Sequence, residues 1–159
     1  MEEEQSTKLK IRQATIKDVP LILTFIKELA EYEKLSSSVT ANEALLKKTL
    51  FGKKKYAEVI IAEYEGEPAG HALYFYNYST FAGKPGIYLE DIYIRPNLRG
   101  KGIGKSLLIH LINLAKEKDL GRVEWAVLDW NESAVNFYKR LGAVPMNGWT
   151  VFRLTEDKF

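Results

Sequence analysis

A glycine-rich turn between a strand-like segment and a helix-like segment constrains this sequence more than any other feature. The strand-like segment carries the apolar residues Leu89, Ile92 and Ile94 and stops before Pro96, which cannot donate to a sheet ladder. The chain then passes through residues 99–104 into an apolar helix. A glycine turn that opens a helix presents main-chain N–H groups beside the positive end of the helix dipole. This arrangement predicts a binding site for phosphate or diphosphate.

The spacing of the glycines excludes two common nucleotide-binding motifs. A Walker A loop is G-x-x-x-x-G-K-[ST]; the sequence matches its end at Gly104 and Lys105, but Arg99 stands where the first glycine is required. The dinucleotide fingerprint G-x-G-x-x-G also fails, because Gly100, Gly102 and Gly104 follow at intervals of two. For the turn taken alone, a helix entry without any ligand stays the alternative.

Composition restricts the class of protein. The 159 residues suffice for one domain, and 46% apolar and 28% charged residues are typical of a globular protein. A net charge of +2 gives no reason to expect nucleic acid, and no apolar run approaches the roughly 18 residues of a membrane span. The lack of cysteine predicts a cytoplasmic location, and two histidines argue against a zinc site, so we expect no metal. We predict a disordered tail over residues 1–7 and a single domain over 8–159.

Apolar periodicity and turn residues predict alternating strands and helices. A capping box at Thr15 and Asp18 begins a first helix, whose expected apolar face is Val19, Ile22, Leu23, Ile26, Leu29 and Ala30. Helices are also predicted at 40–50, 105–118 and 131–141. Strands are predicted at 8–13, 56–64, 69–78, 88–94, 122–128 and 149–154, with a loop over 79–86. The order β-α-α-β-β-β-α-β-α-β predicts a mixed α/β (α+β) fold, with helices covering a largely antiparallel sheet.

Two segments resemble the signature motifs of the GNAT superfamily of N-acetyltransferases. The first is the R-x-x-G-x-G/A turn of Arg99, Gly102 and Gly104, placed after a strand and before a helix. The second is 127–143, with an asparagine near a helix start, an aromatic-tyrosine pair and a Leu-Gly-Ala stop. Over residues 9–155 the chain is most similar to diamine (spermidine/spermine) and thialysine N-acetyltransferases. The resemblance implies the GNAT fold, acetyl-CoA as acetyl donor and a homodimer.

The resemblance also implies where acetyl-CoA is held. Main-chain groups of the central strand would contact the pantetheine arm and the acetyl carbonyl. The glycine turn would hold the diphosphate, and the start of the last helix would contact the cofactor as well. The implied cofactor-binding residues are Ile92, Tyr93, Ile94, Arg99, Gly100, Lys101, Gly102, Ile103, Gly104, Lys105, Asn131, Glu132, Ser133, Ala134 and Tyr138.

Acetyl transfer to an amine needs a neutral amine, a stabilised oxyanion and a proton for the departing thiolate. The resemblance assigns the acid to Tyr138, since a phenol with a usual pKa of about 10 is protonated at neutral pH. Periodicity alone would make Tyr138 a packing aromatic beside Phe137. Glu90 is the leading base, directly or through water, and Asp91 points to the opposite face unless a bulge intervenes. Either carboxylate could instead be exposed or paired with a helix.

A substrate site follows from the same resemblance. Its implied members are Tyr32, Glu33, Glu90, Glu124, Trp125, Ala126 and Asn147. A carboxylate at Glu33 would attract the second ammonium of a polyamine or a lysine-like substrate, although a solvated helix end is the alternative. Trp125 could give a cation–π contact to an amine or pack in the core. The loop 79–84 lacks the acidic residue and tryptophan of the mammalian diamine enzymes, so a small mono- or diamine or thialysine fits as well as spermidine.

Three functions therefore agree with the sequence. The first is acetylation of a small amine. The second is acetylation of a protein N-terminus or an antibiotic by an enzyme of the same superfamily. The third is a non-catalytic module that binds acetyl-CoA, against which Tyr138 and Glu90 argue.

Overall fold

A computed structural model describes residues 8–159, and the tail predicted for residues 1–7 lies outside them. Proximity of Cα atoms separates the chain into two compact units, the first ending at Ala126 and the second running from Val127 to Phe159. The single domain expected for 8–159 stays a prediction. Over the described residues, no helix combines the length and apolar character that crossing a membrane requires.

The first unit is built on a five-stranded sheet in which strands adjacent in sequence are also adjacent in space. The strands are β1 (Leu9–Gln13), β2 (Glu58–Tyr64), β3 (Glu67–Ser79), β4 (Lys84–Ile94) and β5 (Val123–Trp125). The first four pair antiparallel, and β5 joins β4 in parallel. The predicted mixed fold with a largely antiparallel sheet is confirmed.

Short turns connect β2, β3 and β4 into a meander. Glu65 and Gly66 between β2 and β3 have φ angles of 51° and 81°, the two left-handed residues that a type I′ hairpin turn requires. The loop predicted over 79–86 is shorter in the structure, because pairing of β3 with β4 continues out to Ser79 and Lys84. In contrast, β5 is shorter than the predicted strand 122–128, since only three of its residues pair with β4.

Three α-helices belong to the first unit: α1 (Val19–Tyr32), α2 (Glu43–Phe51) and α3 (Ile103–Glu117). The predicted capping box is present in a 3₁₀ turn just before α1, where the Asp18 carboxylate accepts the Thr15 N–H at 2.7 Å. The predicted start of α2 at residue 40 is wrong. Asn42 caps this helix instead, because its side chain accepts the Leu45 N–H at 2.9 Å.

The face that α1 turns to the sheet differs from the predicted face by one important residue. Val19, Ile22 and Phe25 are fully buried, whereas Leu23 and Ile26 are only partly buried. Phe25 was missed because helical periodicity locates an apolar stripe, while the sheet determines which edge of the stripe is covered. The consequence reaches the site described below, since Phe25 packs against residues of β3 and β4.

The second unit contains one α-helix, α4 (Glu132–Arg140), as predicted to within a residue at each end. Its C-terminus closes through Gly142, whose φ is 91°, and the Ala143 N–H donates to the Tyr138 carbonyl at 3.1 Å. The predicted strand 149–154 is absent from the structure, where Val151 and Phe152 are 86% and 92% exposed. A strand needs a neighbour for its ladder, and no strand among residues 8–159 supplies one here.

His71 of β3 is the one histidine buried in the sheet of the described chain. It is 0% exposed, its ring lies 5.1 Å from the ring of Phe25, and neither ring nitrogen has a hydrogen-bond partner among residues 8–159. Burial lowers the pKa of His71 from 6.5 to about 4, because the charged imidazolium is poorly solvated there. Folding therefore requires a neutral imidazole at this position.

We expect acid to destabilise the protein through His71. Because its pKa is lower in the folded than in the unfolded chain, the unfolded chain binds the extra proton between pH 6.5 and about 4. The free energy of unfolding should fall by up to about 3 kcal/mol as the pH drops across this window, and then level off. Urea titrations of the wild type and of His71→Leu at several pH values measure the difference.

The exposed His110 on α3 provides the control for this measurement. His110→Gln should retain the acid loss, whereas His71→Leu should reduce it. Parallel curves for the wild type and His71→Leu would show that the protein accommodates a charged imidazole at position 71.

Candidate active site

The glycine turn leads from the end of β4 into α3 as predicted. A 3₁₀ turn at Pro96–Leu98 follows β4, and Gly100 and Gly102 then have φ angles of 78° and 77°. Gly102 caps α3 in a left-handed conformation that a residue with a Cβ rarely adopts. Gly104 differs, because a Cβ there would meet only the Ile94 side chain, at an ordinary 3.8 Å. Packing within this chain does not demand a glycine at position 104.

The two basic side chains at the start of the turn lie over aromatic rings. The guanidinium carbon of Arg99 is 4.7 Å from the ring centre of Tyr32, and its Nε donates to the Ile94 carbonyl at 2.9 Å. The ammonium of Lys101 lies 5.5 Å from the ring centre of Tyr64. The main-chain N–H groups of the turn are therefore accompanied by cations that already have contacts within the protein.

The strand before the turn is held tightly on one side. Gly70 of β3 lies opposite Ile94, and a Cβ on Gly70 would come within 2.0 Å of the Tyr93 carbonyl oxygen. Tyr93 itself is nearly buried, with its ring 6.0 Å from that of Phe25. Close packing against β3 and α1 therefore positions the main chain of Ile92, Tyr93 and Ile94.

On its other side the same strand is open. Pairing between β4 and β5 covers only three residues of each strand and ends at Leu89 opposite Trp125. Among the described residues no strand pairs with this edge from Glu90 to Ile94. Strand edges present unpaired N–H and C=O groups that can bond an extended ligand. The open edge ends at the glycine turn, so both parts can serve one elongated molecule.

A β-bulge interrupts β4 just after Leu89, where β4 separates from β5. Tyr74 of β3 lies opposite Leu89, and the next residue of β3, Leu73, lies opposite Asp91. Glu90 is the extra residue, and it is exposed. The bulge changes the face that follows, so that Asp91 shares the α1 side of the sheet with Leu73 and, further along, with Tyr93.

Asp91 is the carboxylate whose environment is most perturbed. The pKa of Asp91 is raised from 3.8 to about 6, chiefly by burial and also by the negative charges of Glu90 and Glu33. Burial also raises the pKa of Glu33, at the C-terminal end of α1. Three of the predicted or alternative site carboxylates thus lie within electrostatic range of one another. Such a group attracts a cation and contains a base that is ionised near neutral pH.

Glu124 on β5 is engaged differently from these three. Its Oε1 lies 2.8 Å from Nε of Arg122 and accepts the Asn77 amide at 3.3 Å. Tyr88 lies opposite Glu124 in the parallel register, and its ring is 5.2 Å from that of Phe75. Burial, then the charges of Glu90 and Glu124, raise the pKa of the Tyr88 phenol.

Of the remaining predicted residues, Ile103 and Lys105 lie in the first turn of α3 and Ala126 ends the first unit; the others belong to the second unit. Asn131 caps α4 by accepting the Ala134 N–H at 3.3 Å. Tyr138 is half-buried on this helix, with its ring 5.5 Å from that of Phe137. Asn147 is exposed after the helix. The roles of these residues stay predictions.

Comparison with known proteins agrees with this geometry. Residues 24–143 match the Acetyltransferase (GNAT) family. The thialysine N-epsilon-acetyltransferase of Bos taurus is 42% identical over 154 residues, covering 90% of both chains. The L-ornithine N5-acetyltransferase NATA1 of Arabidopsis thaliana is 33% identical over 193 residues, covering 93% of this chain and 85% of the relative. An integron cassette protein from the mobile metagenome of V. cholerae has a similar fold, with a TM-score of 0.79 at 24% identity, covering 95% and 94% of the two chains.

The chain therefore belongs to the GNAT family of acetyltransferases, as the two sequence motifs indicated. It is an N-acetyltransferase that acts on amines, a conclusion that rests on relatives about 40% identical over most of the chain.

Proposed function

We propose that this enzyme transfers acetyl from acetyl-CoA to a primary amine of a small cationic substrate, such as a diamine, a polyamine or a lysine analogue like thialysine. The observation that carries the proposal is the open edge of β4, which has the glycine turn at one end and the carboxylates of Glu90 and Asp91 at the other. The relatives named for thialysine and L-ornithine support an amine of this kind.

The residues present fit acetyl-CoA. A diphosphate needs several N–H donors and close approach to the main chain, and the turn supplies both at Gly102 and Gly104. A pantetheine arm carries amides that can pair with a strand edge, which Ile92, Tyr93 and Ile94 provide. The remaining residues assigned to the cofactor are Arg99, Gly100, Lys101, Ile103, Lys105, Asn131, Glu132, Ser133, Ala134 and Tyr138.

When bound, acetyl-CoA supplies a thioester whose carbonyl carbon an amine can attack. Attack would form the carbon–nitrogen bond and break the carbon–sulfur bond. The ammonium must first lose one proton to become a nucleophile, the nitrogen must lose a second proton after attack, and one proton must reach the sulfur, so that one proton is released overall. We assign the first of these protons to the carboxylate of Asp91 in preference to Glu90, because Asp91 is ionised but still basic near neutral pH. Tyr138 donates the proton that reaches the sulfur. A main-chain N–H of β4 stabilises charge on the carbonyl oxygen.

The carboxylates also favour a cationic substrate. Glu33 and Asp91 resist ionisation where they lie, and an ammonium bound between them would relieve that cost. Glu124 already pairs with Arg122, so it attracts an ammonium less strongly than an unpaired carboxylate would. A substrate with its charges close together is favoured over a long polycation.

A spectrophotometric assay of thiol release tests the proposal. We expect the wild type with acetyl-CoA to release CoA with thialysine, ornithine or putrescine, and to do so more slowly with spermine. A peptide with a free N-terminus and an aminoglycoside test acetylation of other classes of amine. Binding of CoA without release from any amine would replace the proposal with a non-catalytic module.

We also propose that the enzyme is a cytoplasmic homodimer. The second unit exposes a run of large apolar side chains, which comprises Val144, Met146, Trp149, Val151, Phe152, Leu154 and Phe159. Exposed apolar side chains in such number can mark an interface with another protein chain. A second copy would give the strand predicted at 149–154 a neighbour with which to pair. Sedimentation of the protein at twice the mass of one chain supports this proposal, and sedimentation as a monomer contradicts it.

A further inference from the structure

Arg99 belongs to the predicted diphosphate turn, yet its side chain contacts Tyr32, a residue of the proposed amine site. Its guanidinium carbon lies 4.7 Å from the ring centre of Tyr32 and 5.8 Å from that of Tyr93, and Nε donates to the Ile94 carbonyl. A guanidinium within about 6 Å of an aromatic ring is attracted to it. Arg99 thus contacts helix α1 as well as the end of β4.

The ring that Arg99 contacts lies at the C-terminal end of α1, the end that the proposed function assigns to the amine substrate. Tyr32 is the last residue of α1, and the next residue is Glu33, whose charge reaches Asp91. Nothing in this part of α1 is deeply buried, because Tyr32 is 40% exposed and Glu33 only half-buried. This end of the helix is therefore partly exposed, and Arg99 provides a contact that reaches it from the glycine turn.

A second arginine, Arg95, also connects the end of β4 to α1. Arg95 stacks over Phe25 at 5.0 Å, and its Nε lies 3.4 Å from Glu28, one turn before Tyr32. Arg95 and Arg99 thus hold successive turns of α1 against the end of β4. Of the two, only Arg99 lies in the glycine turn.

We propose that Arg99 is a positioning residue that couples the acetyl-CoA turn to the amine-binding end of α1 through the ring of Tyr32. The inference rests on the proposed function, since it assigns the Tyr32 end of α1 to the amine. Its guanidinium fixes Tyr32, and thereby Glu33, while its Nε fixes the start of the turn on Ile94. A shift of the glycine turn then displaces the Tyr32 end of α1, and a shift of that end displaces the turn.

A double-mutant cycle tests this coupling. Arg99→Gln and Tyr32→Leu should each raise the KM for the amine about two- to fivefold, the factor expected from an exposed cation–π contact. The kcat should change less than the KM, because the contact is present before and during the reaction. The double variant should be no worse than the poorer single variant, since both remove the same interaction.

Two further variants separate this coupling from a general loss of charge or fold. Tyr32→Phe retains the ring, so Arg99→Gln should raise the amine KM by the same factor in the Tyr32→Phe background as in the wild type. Lys54→Gln removes a cation from another exposed ring, that of Tyr56 at 5.0 Å, and should leave the amine KM unchanged. Thermal unfolding of each variant shows whether it is folded.

The outcomes distinguish this inference from the proposed function. If the wild type acetylates an amine and the effects of Arg99→Gln and Tyr32→Leu multiply, the coupling is wrong and the proposed function stands. The coupling is also wrong if Arg99→Gln leaves the amine KM unaltered. If the wild type acetylates no amine at all, the proposed function fails and the inference fails with it.

Discussion

Tyr138→Phe should lower kcat about 100-fold while the affinity for acetyl-CoA changes little. The substitution removes only the hydroxyl and retains the ring beside Phe137, so the packing of α4 is preserved. A positioned proton donor contributes roughly 10²–10⁴ to a rate, and it acts only as the bond to sulfur breaks. For that reason kcat and kcat/KM should fall together. Steady-state kinetics and a titration with CoA measure the two quantities.

Tyr56→Phe is the matched control for Tyr138→Phe. Tyr56 is an exposed tyrosine before β2, so loss of its hydroxyl should leave the kinetics unchanged. Full activity of Tyr138→Phe would remove Tyr138 from the acid role and leave it as the packing aromatic that periodicity alone suggested. A loss confined to CoA affinity would assign Tyr138 to cofactor binding.

Asp91→Asn should lower kcat/KM about 100-fold and remove the acidic limb of the pH profile. The wild-type limb should have its midpoint near pH 6, the pKa to which burial and the charges of Glu90 and Glu33 together raise the Asp91 carboxyl of the free enzyme. The sign follows from the base role, because Asp91 must be ionised to accept a proton and is increasingly protonated below pH 6. The profile of kcat should inflect at lower pH, since a bound ammonium stabilises the carboxylate.

Glu90→Gln distinguishes the two neighbouring carboxylates. Glu90 is the exposed bulge residue, and its charge is one cause of the raised pKa of Asp91. Its removal should shift the acidic limb to lower pH and cost less activity than Asp91→Asn. If Glu90→Gln removes the limb and Asp91→Asn retains it, the base is Glu90, as the sequence alone suggested.

The two pH effects are separable by experiment. Protonation of Asp91 affects the rate near pH 6, whereas protonation of His71 affects the free energy of unfolding down to about pH 4. An activity loss near pH 6 that reverses on neutralisation is therefore expected to precede unfolding. Circular dichroism at pH 5 and pH 4 distinguishes an inactive folded enzyme from an unfolded one.

Local features of the fold were predictable because short-range sterics produce them. Glycines with positive φ at positions 100 and 102, the proline after β4 and the Asp18 capping box depend on a few adjacent residues. Features that depend on a distant partner were predicted less well. The segment 149–154 is rich in aromatic and β-branched residues but has no neighbouring strand among the described residues, and Phe25 was missed because burial of α1 depends on the sheet.

The sequence by itself determined the GNAT family, the order of the strands and helices up to α4 and the turn that begins α3, because motif spacing and backbone conformation are local properties. Only the tertiary structure decided which carboxylate is buried and which basic side chain contacts α1. Burial raises the pKa of Asp91, with contributions from the charges of Glu90 and of Glu33 in a different element, and the bulge between β3 and β4 sets the face on which Asp91 lies. Arg99 contacts Tyr32, which lies 67 residues earlier in the sequence, and only folding brings the two together.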